Sequence, residues 1–400
     1  MFERSLDTII VEALKISPIV LLSGARQVGK STLAMKQVKH YKLFDDIALR
    51  ESVISDAKLF LSTLQKPVCL DEVQKIPQIL EPIKMDVDKN RVNGAYLLTG
   101  SASILDMQNI GDTLAGRIIE ITLYPLSSKE INRSKNNIID QLFNNDFTNF
   151  ESLSYEAMAK MVIDGGYPEY LKIENNKLKN YWFSSYISTY IERDVRDIAN
   201  IRDLDSFIRL FNLLAPRSAN IVRVSELASS SSLNIESVKN YLKTLEMVYQ
   251  IKFLKPYSSN ISKRFIKSPK LFFLDSGLLS HLMNIYSIEE FNNSSAKGSI
   301  VETYIYTELL KHLGFSERNA ELFHYRTNNQ KEIDFILTSS DKIIAIEVKS
   351  SKTIRKQDFR HINDFKDKEK NFHLGVVFYM GEEVLPFGDK LYALPLSFLM

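Results

Sequence analysis

Cysteine is nearly absent from this 400-residue sequence, which contains only Cys69, so an internal disulfide is excluded. The six histidines are scattered, and no group of cysteines and histidines has the spacing of zinc ligands. No apolar run approaches the roughly 18 residues of a membrane-spanning helix, and the first residues do not follow a signal-peptide pattern. We therefore expect a cytoplasmic protein with no membrane partner.

A large excess of one charge is also lacking, because 51 lysines and arginines oppose 49 acidic residues and leave a formal net charge of +2. Any binding of nucleic acid must therefore depend on a local basic surface. The apolar content of 44% and the charged content of 25% are ordinary for a globular protein. Since 400 residues exceed what one hydrophobic core usually supports, we expect several domains.

The first chemical motif lies between an apolar segment at residues 19–22 and a helical pattern that begins near Lys30. It matches the consensus G-x-x-x-x-G-K-[ST] of a phosphate-binding loop (P-loop), in which glycines let backbone N–H groups approach a phosphate. Lys30 is predicted to reach the β- and γ-phosphates of ATP, and Ser31 to ligate Mg²⁺. The predicted nucleotide-binding residues are Gly24, Ala25, Arg26, Gln27, Val28, Gly29, Lys30, Ser31 and Thr32.

Two more apolar segments end in polar residues that suit nucleotide hydrolysis. One leads into Asp71 and Glu72, as in a Walker B element. Asp71 is predicted to hold Mg²⁺, and Glu72 to act as the general base on the attacking water. The other leads into Thr99 and Ser101, either of which is a candidate to sense the γ-phosphate, with simple turn chemistry as the alternative.

Short apolar runs alternate with helical or turn-rich segments through the first part of the chain. These runs are residues 19–22, 41–44, 68–70, 96–98 and 118–123. Such alternation predicts a mostly parallel sheet with helices on both faces. Residues 151–190 read as mostly helical, and the polar stretches at 132–149 and 287–299 are expected to be loops or linkers.

A helix-turn-helix is predicted at residues 223–255, with Ser225 and Asn234 as N-caps and a strand at 251–254 that suggests a winged variant. Within the sixteen residues from 255 to 270 the chain has five basic residues and no acid. The five are Lys255, Lys263, Arg264, Lys267 and Lys270. This pattern favours phosphate contacts with DNA, although winged helices also serve as contacts between proteins.

Acidic residues follow one another in a suggestive order near the end of the chain: Glu302, Asp334, then Glu347 two residues before Lys349. A hairpin loop at 339–342 would set Asp334 opposite Glu347 on paired strands. Two like charges held face to face favour a divalent cation between them, with Glu302 either completing the site or binding the metal through water. Lys349 shares the face of Glu347 and is predicted to orient water or stabilise charge on a phosphate.

The order of these motifs resembles a large prokaryotic ATPase family of the AAA+ type, whose C-terminal region has no assigned function. The segments that carry the resemblance are residues 43–46, 70–74, 98–101, 114–117, 125–127, 165–169 and 192–195. The acidic order also resembles nucleases of the PD-(D/E)xK class, except that Ile333 stands where their proline would be. The resemblance implies the nuclease fold and leaves open whether it cleaves DNA or is only a binding platform.

The resemblance implies an α/β protein with four parts. These are a P-loop ATPase domain at 1–150, a helical lid or connector at 151–205, a winged helix at 206–290 and a restriction-endonuclease-like domain at 291–400. ATPases of this type usually need an arginine that reaches the γ-phosphate, often from a neighbouring subunit. Arg117 and Arg193 are the candidates, with ordinary ion pairing as the alternative. A homo-oligomer, such as a hexameric ring, is therefore expected.

The function that follows is Mg²⁺-dependent ATP hydrolysis coupled to the binding or remodelling of DNA, including branched or broken DNA. Two alternatives remain at this point. One is an ATP-dependent switch that regulates partner proteins, and the other is a DNA nuclease that depends on Mg²⁺ and is gated by ATP.

Overall fold

The computed structural model describes residues 2–104, 114–148, 150–191, 195, 201, 203–258, 268–327, 329 and 331–400. The chain divides into two compact units. The first unit comprises Met1–Pro125, Ser185–Leu204 and Leu242–Gln250, and the second comprises Leu126–Ser184, Asp205–Tyr241 and Ile251–Met400. The predicted domain limits at residues 150, 205 and 290 stay a prediction. Among the described residues, no helix is both long and apolar enough to cross a membrane.

A five-stranded parallel sheet forms the centre of the first unit, in the order β2-β3-β4-β1-β5. The strands are β1 (Ile19–Ser23), β2 (His40–Leu43), β3 (Val68–Asp71), β4 (Tyr96–Gly100) and β5 (Ile118–Thr122). Every residue of β1, β3 and β4 is buried, as expected for inner strands covered on both faces. The predicted α/β fold with a parallel sheet is confirmed.

Four helices accompany this sheet: α1 (Asp7–Ile16), α2 (Lys30–Gln37), α3 (Ile47–Ser62) and α4 (Leu80–Lys89). Helix α3 has a kink at Asp56, where the backbone leaves the helical region. Ile83 and Val87 of α4 pack into a core with Phe44 and with inward-facing residues of the strands. Because each strand is followed by a crossover, the polar residues after β1, β3 and β4 emerge at the same carboxyl edge of the sheet.

The second unit begins with short helices. The helices between the first sheet and residue 186 are α5 (Ser128–Asn132), α6 (Ile138–Asn144), α7 (Tyr155–Asp164), α8 (Pro168–Leu171) and α9 (Asn176–Tyr186). The predicted helical character of 151–190 is therefore observed, with α9 continuing into a π-helical turn at Ile187–Ile191.

A small module follows with the order helix, strand, two helices, two strands. Its elements are α10 (Leu204–Leu214), β6 (Asn220–Ile221), α11 (Val224–Ser231), α12 (Ile235–Met247), β7 (Ile251–Leu254) and β8 (Lys270–Phe273). The strands form an antiparallel sheet in the order β6-β8-β7. Asn234 caps α12 by accepting a hydrogen bond from the Ser237 amide, as predicted, whereas α11 begins before Ser225, which is therefore not its N-cap.

The remaining chain builds a six-stranded mixed sheet in the order β13-β14-β12-β11-β10-β9. Its strands are β9 (Glu321–Arg326), β10 (Glu332–Ser339), β11 (Lys342–Lys349), β12 (Phe372–Tyr379), β13 (Leu385–Gly388) and β14 (Leu391–Pro395). The helices of this region are α13 (Ser276–Leu282), α14 (Ile288–Asn293), α15 (Lys297–Leu313) and α16 (Arg360–Lys366). Thr338 pairs with Ile343 in the predicted register, but the turn has two residues, because Ser339 also pairs with Lys342.

Two polar stretches that were expected to be loops contain helices. Helix α6 lies within 132–149, and helix α14 with the start of α15 lies within 287–299. Ser287 and Glu290 form a reciprocal capping box at the start of α14. That Ser-x-x-Glu pattern is visible in the sequence and is typical of a helix start. The helix therefore forms even though the polar composition of this stretch suggested a loop.

Asp275 is a buried carboxylate on which several backbone groups of the second unit depend. Its two oxygens accept hydrogen bonds from the amides of Leu278 and Gly166, each at 2.8 Å. Gly165 approaches so closely that a Cβ atom there would lie 2.5 Å from Asp275 Oδ1, and its φ of +66° also favours glycine. Asp275 thus joins the start of α13 to the turn after α7.

We predict that Asp275→Ala destabilises the second unit by roughly 2–4 kcal/mol, because buried amides lose their acceptors. Fluorescence of Trp182, the only tryptophan, reports urea unfolding of this unit. The control is Ser154→Ala, which removes an exposed N-cap of α7 and should cost about 1 kcal/mol. Equal losses in the two variants would contradict this role of Asp275.

Candidate functional site

The loop between β1 and α2 has backbone geometry that glycine alone accommodates well. Gly24 has φ +144°, and a Cβ atom there would lie 2.1 Å from the Leu123 carbonyl oxygen. Gly29 has φ +99° and immediately precedes α2. Lys30 is 5% exposed, and its ammonium donates hydrogen bonds to the carbonyl oxygens of Gly24 at 3.0 Å and Ala25 at 2.8 Å. The Lys30 side chain therefore lies along the P-loop, where it is predicted to bind phosphate.

Asp71 ends β3 beside this loop and is only 1% exposed. Its two carboxylate oxygens accept hydrogen bonds from the hydroxyls of Thr99 and Tyr41. Tyr41 also has a hydrogen-bonding interaction with Ser31, so it connects the two side chains that were predicted to hold Mg²⁺. Burial and the hydrogen bond to Asp71 raise the pKa of Tyr41, which stays protonated and able to donate.

Glu72 follows Asp71 with a left-handed backbone, φ +61° and ψ +43°. This conformation is strained for a non-glycine residue, and such strain is concentrated at functional sites. Gln74 donates hydrogen bonds to the Glu72 carboxylate and to Ser101 Oγ, the latter at 2.8 Å. The Glu72 amide donates to Thr99 Oγ1 at 3.1 Å. Thr99 thus contacts Asp71, the predicted metal ligand. Ser101 contacts Gln74, which also binds the carboxylate of Glu72, the predicted base.

The parallel register explains why these residues meet. Strand β4 lies between β1 and β3, with Ser23 of β1 paired with Gly100, and Leu70 of β3 paired with Leu98. The Ser31 hydroxyl and the Asp71 carboxylate are hard oxygen donors of the kind that Mg²⁺ prefers. The donor set therefore fits Mg²⁺ bound to nucleotide phosphates, and the predicted base Glu72 directly follows Asp71 in the chain.

Comparison with protein families agrees with this geometry. Residues 17–132 match a family model described as AAA domain. These residues form an AAA-like domain of the P-loop ATPase class. Two further models, each described as a domain of unknown function, match residues 155–289 (DUF8612) and 297–399 (DUF4143).

Relatives extend over nearly the whole chain at low identity. An uncharacterized protein of Mycobacterium tuberculosis is 25% identical over 386 residues, covering 96% of this chain and 81% of the relative. An uncharacterized protein of Methanocaldococcus jannaschii is 25% identical over 397 residues, covering 93% of this chain and 85% of the relative. Among solved structures, the Walker-type ATPase PABY2304 of Pyrococcus abyssi has a TM-score of 0.45 at 16% identity, covering 71% of this chain and 96% of that chain.

Arg117 lies at the opposite edge of the AAA-like domain from the P-loop. Its carbonyl oxygen accepts from the Ile19 amide at the amino end of β1, and its guanidinium binds Asp88 through two hydrogen bonds of 2.5 and 3.0 Å. A five-residue strand spans roughly 16 Å, so Arg117 does not reach the nucleotide of its own chain. Its action on a neighbouring subunit's nucleotide stays a prediction, and Arg193 lies outside the described residues.

Arg4, which no sequence motif singled out, supports the P-loop of the AAA-like domain from outside the motif. Its two terminal nitrogens donate to the carbonyl oxygens of Val28 and Tyr124, both at 2.7 Å. These carbonyls belong to the P-loop and to the segment after β5. Nothing in the spacing around Arg4 signals this role, since its acceptors lie 24 and 120 residues away.

A second cluster of charged residues lies in the second unit. The Lys270 ammonium is 2.5 Å from Glu302, 2.9 Å from Glu332 and 3.6 Å from Asp334, measured to carboxylate oxygens. Burial opposes the charged form of Lys270, but the carboxylates around it raise its pKa well above the usual value. Lys270, predicted as a phosphate contact, is instead 2% exposed and surrounded by acids.

Next to this cluster lies Glu347 on β11. Asp334 accepts a hydrogen bond from the Val348 amide at 2.8 Å, and Lys349 lies 2.8 Å from Glu347 Oε1. Burial, followed by the negative charge of Asp334, raises the pKa of Glu347 to about 8. Glu347 Oε2 is buried and has no hydrogen-bond partner in the described part of the chain. The structure thus brings together all four residues of the predicted nuclease-like site.

Three of the predicted nucleic-acid contacts, Lys263, Arg264 and Lys267, lie outside the described residues, and Lys255 is exposed. Across the described ranges, no group of three or more His, Cys, Asp or Glu side chains is arranged to hold a metal ion. The acidic residues of the second unit are close together, but Lys270 lies among them.

We predict that Arg4→Gln weakens ATP binding by roughly tenfold, because two carbonyls lose a charged donor and the P-loop is less well ordered. Equilibrium titration with a fluorescent ATP analogue measures the change. Arg91→Gln is the matched control, since Arg91 also donates to a carbonyl, that of Gly116, but in an exposed position. An unchanged dissociation constant in Arg4→Gln would contradict the bracing role.

We also predict a pH-dependent effect of Glu347→Gln. Since the folded pKa of Glu347 is about 8 and the ordinary value is 4.5, the folded state binds its proton more tightly than the unfolded state. The stability that Glu347 contributes is thus fully present below pH 4.5 and is lost as the pH rises through about 8. Relative to Glu347→Gln, the wild type should lose stability between about pH 5 and pH 8.

Urea unfolding followed by Trp182 fluorescence at several pH values measures this difference. The control is Glu151→Gln, which replaces an exposed glutamate of the same unit. A constant difference between the wild type and Glu347→Gln across this range would show that Glu347 is ionised normally.

Proposed function

We propose that the AAA-like domain hydrolyses ATP with Mg²⁺. In this proposal the P-loop and Lys30 hold the phosphates, Ser31 and Asp71 hold the ion, and Glu72 accepts a proton from the attacking water. The bound Mg²⁺ supplies positive charge that offsets the charge developing on the phosphates. The observation that carries the proposal is the continuous hydrogen-bond network that joins Asp71, Thr99 and Glu72 at the edge occupied by Lys30.

We further propose that hydrolysis is coupled to DNA, including branched or broken DNA. The order of elements from α10 to β8 supports the predicted winged helix, and exposed Lys255 begins a connection between β7 and β8 that contains three more basic residues. Phosphate contacts from such a connection would supply binding that depends on salt but little on base sequence.

Contacts within the first unit supply a route for the coupling. The Ser103 amide donates to the carbonyl oxygen of Met247, the last residue of α12, at 2.8 Å. Two residues later, the Tyr249 hydroxyl donates to Glu120 on β5 at 3.4 Å. Ser103 is only two residues beyond Ser101, which contacts the surroundings of Glu72. A change at the γ-phosphate that moves Ser101 could therefore reach the end of α12 through two residues of chain and the hydrogen bond from Ser103 to Met247.

One observation favours a second candidate, a nucleotide-dependent switch acting on partner proteins. Burial of Lys270 among carboxylates removes one of the five cations on which the DNA proposal was based. In both proposals the protein works as a homo-oligomer, with Arg117 or Arg193 directed at a neighbouring subunit's nucleotide.

The decisive measurement is ATP turnover with Mg²⁺, alone and with linear, single-stranded and branched DNA. We expect turnover to be abolished in Lys30→Ala, through loss of phosphate binding, and in Glu72→Gln, which should still bind ATP because only the base is removed. We expect one DNA structure to stimulate the wild type, and this stimulation to weaken steeply with salt.

Turnover that depends on Lys30 but is indifferent to every DNA, with no DNA binding at low salt, would overturn the coupling to DNA and favour the protein switch. Loss of ATP binding in Glu72→Gln would contradict its role as a base. The same measurements with Arg117→Ala, alone and mixed with the wild type, test whether this arginine acts between subunits.

A further inference from the structure

The Lys270 side chain ends at the centre of a group of carboxylates contributed by two elements. Strand β8 provides the lysine, helix α15 provides Glu302, and strand β10 provides Glu332 and Asp334. The lysine side chain is 3% exposed, and the side chains of Glu302 and Asp334 are each 14% exposed. These charges are therefore largely removed from water, where they interact strongly.

Such a group of carboxylates needs a positive partner. Asp334 is next in register to the pair Phe335 and Ile346, which sets it beside Glu347 on the neighbouring strand. Like charges at this spacing destabilise a sheet unless a cation offsets them. The ammonium of Lys270 has three N–H donors and no acceptor, so it can serve several carboxylate oxygens at once. It donates to Glu302 and Glu332, and Asp334 lies within ion-pair distance.

If the resemblance to the PD-(D/E)xK nucleases extended to their chemistry, a divalent cation would bind between Asp334 and Glu347, with Glu302 as a further ligand. Lys270 already contacts two of these three carboxylates, those of Glu302 and Asp334. Oxygen ligands lie about 2.0–2.6 Å from Mg²⁺ or Ca²⁺. Here the oxygens of Glu302, Glu332 and Asp334 are 2.5 to 3.6 Å from a lysine nitrogen that already carries the positive charge. A metal ion bound to Glu302 and Asp334 would lie within a few ångströms of the ammonium group, and two cations at that spacing repel each other strongly in a buried site. The residues present therefore do not fit a nuclease metal centre.

We propose that Lys270 is the resident cation of this acidic site and takes the place of the divalent ion of a nuclease. The lysine stabilises the second unit by tying β8 to α15 and β10, and it keeps divalent ions from the carboxylates. The site is then a charge-compensated structural centre rather than a cleavage centre. This inference does not depend on ATP hydrolysis or on the proposed coupling to DNA.

Binding of Mn²⁺ to nucleotide-free protein, followed by the electron paramagnetic resonance signal of free Mn²⁺, tests the proposal. We expect the single variant Asp334→Asn to bind Mn²⁺ as the wild type does, because the wild type holds no ion at this carboxylate. Lys270→Met should gain one site with a Kd of about 1 mM or tighter, which the double variant Lys270→Met/Asp334→Asn should lose.

Two control variants distinguish the loss of this particular cation from the loss of any lysine. Lys366→Met removes a partly exposed lysine paired with Asp389 and should gain no site. Lys270→Arg keeps the positive charge and should also gain none. In thermal unfolding, Mn²⁺ should raise the midpoint of Lys270→Met and leave the wild type and Lys270→Arg unchanged.

A wild-type Mn²⁺ site that Asp334→Asn removes would overturn the proposal, and this comparison does not require any Lys270 variant to fold. A folded Lys270→Met protein that gains no Mn²⁺ site would also overturn it, because the carboxylates would then not form a cation site. Neither result would affect ATP turnover at the P-loop, which is measured separately.

Discussion

The parallel pairing of β4 between β1 and β3 is the constraint on which the nucleotide site depends. Parallel strands bring all their carboxyl ends to one edge, so residues far apart in sequence become neighbours. Ser23 pairs with Gly100, 77 positions away, and Leu70 pairs with Leu98, 28 positions away. The P-loop follows β1, Asp71 ends β3, and Thr99 lies in the last part of β4. A shift of one residue between β3 and β4 would move Asp71 and Thr99 apart and break the hydrogen bond between them. A shift between β1 and β4 would instead move the P-loop relative to Thr99.

Local strain and local hydrogen bonding act together at this edge. Glu72 adopts a left-handed backbone, and its amide and carboxylate are held by Thr99 and Gln74. In its proposed role as a base, a Glu72 fixed in this way would need little reorganisation when nucleotide and water bind, which is how preorganised sites lower a barrier. Two more residues hold the site in place: Tyr41 donates a hydrogen bond to Asp71, and Arg4 donates one to the Val28 carbonyl oxygen of the P-loop.

Much of the first unit could be predicted, because its signals are local. The five apolar runs predicted the five strands to within about two residues at each end, and the consensus around Lys30 located the P-loop. The strand at 251–254 and the pairing of Thr338 with Ile343 were also predicted correctly. The helices that were wrongly predicted differ for physical reasons. Capping residues in polar stretches started α6 and α14, and the helix before the turn at 232 began without Ser225 as its cap.

The sequence by itself determined the identity of the phosphate-binding loop, because a P-loop depends on residues that are adjacent in the chain. It also determined the alternation that produces a parallel sheet. Only the tertiary structure decided what Lys270 does: in sequence it ends a basic stretch, whereas in space it lies among Glu302, Glu332 and Asp334. The same is true of Arg4 and Arg117. A charged side chain is paired according to which groups folding brings within a few ångströms, and sequence neighbours do not specify those groups.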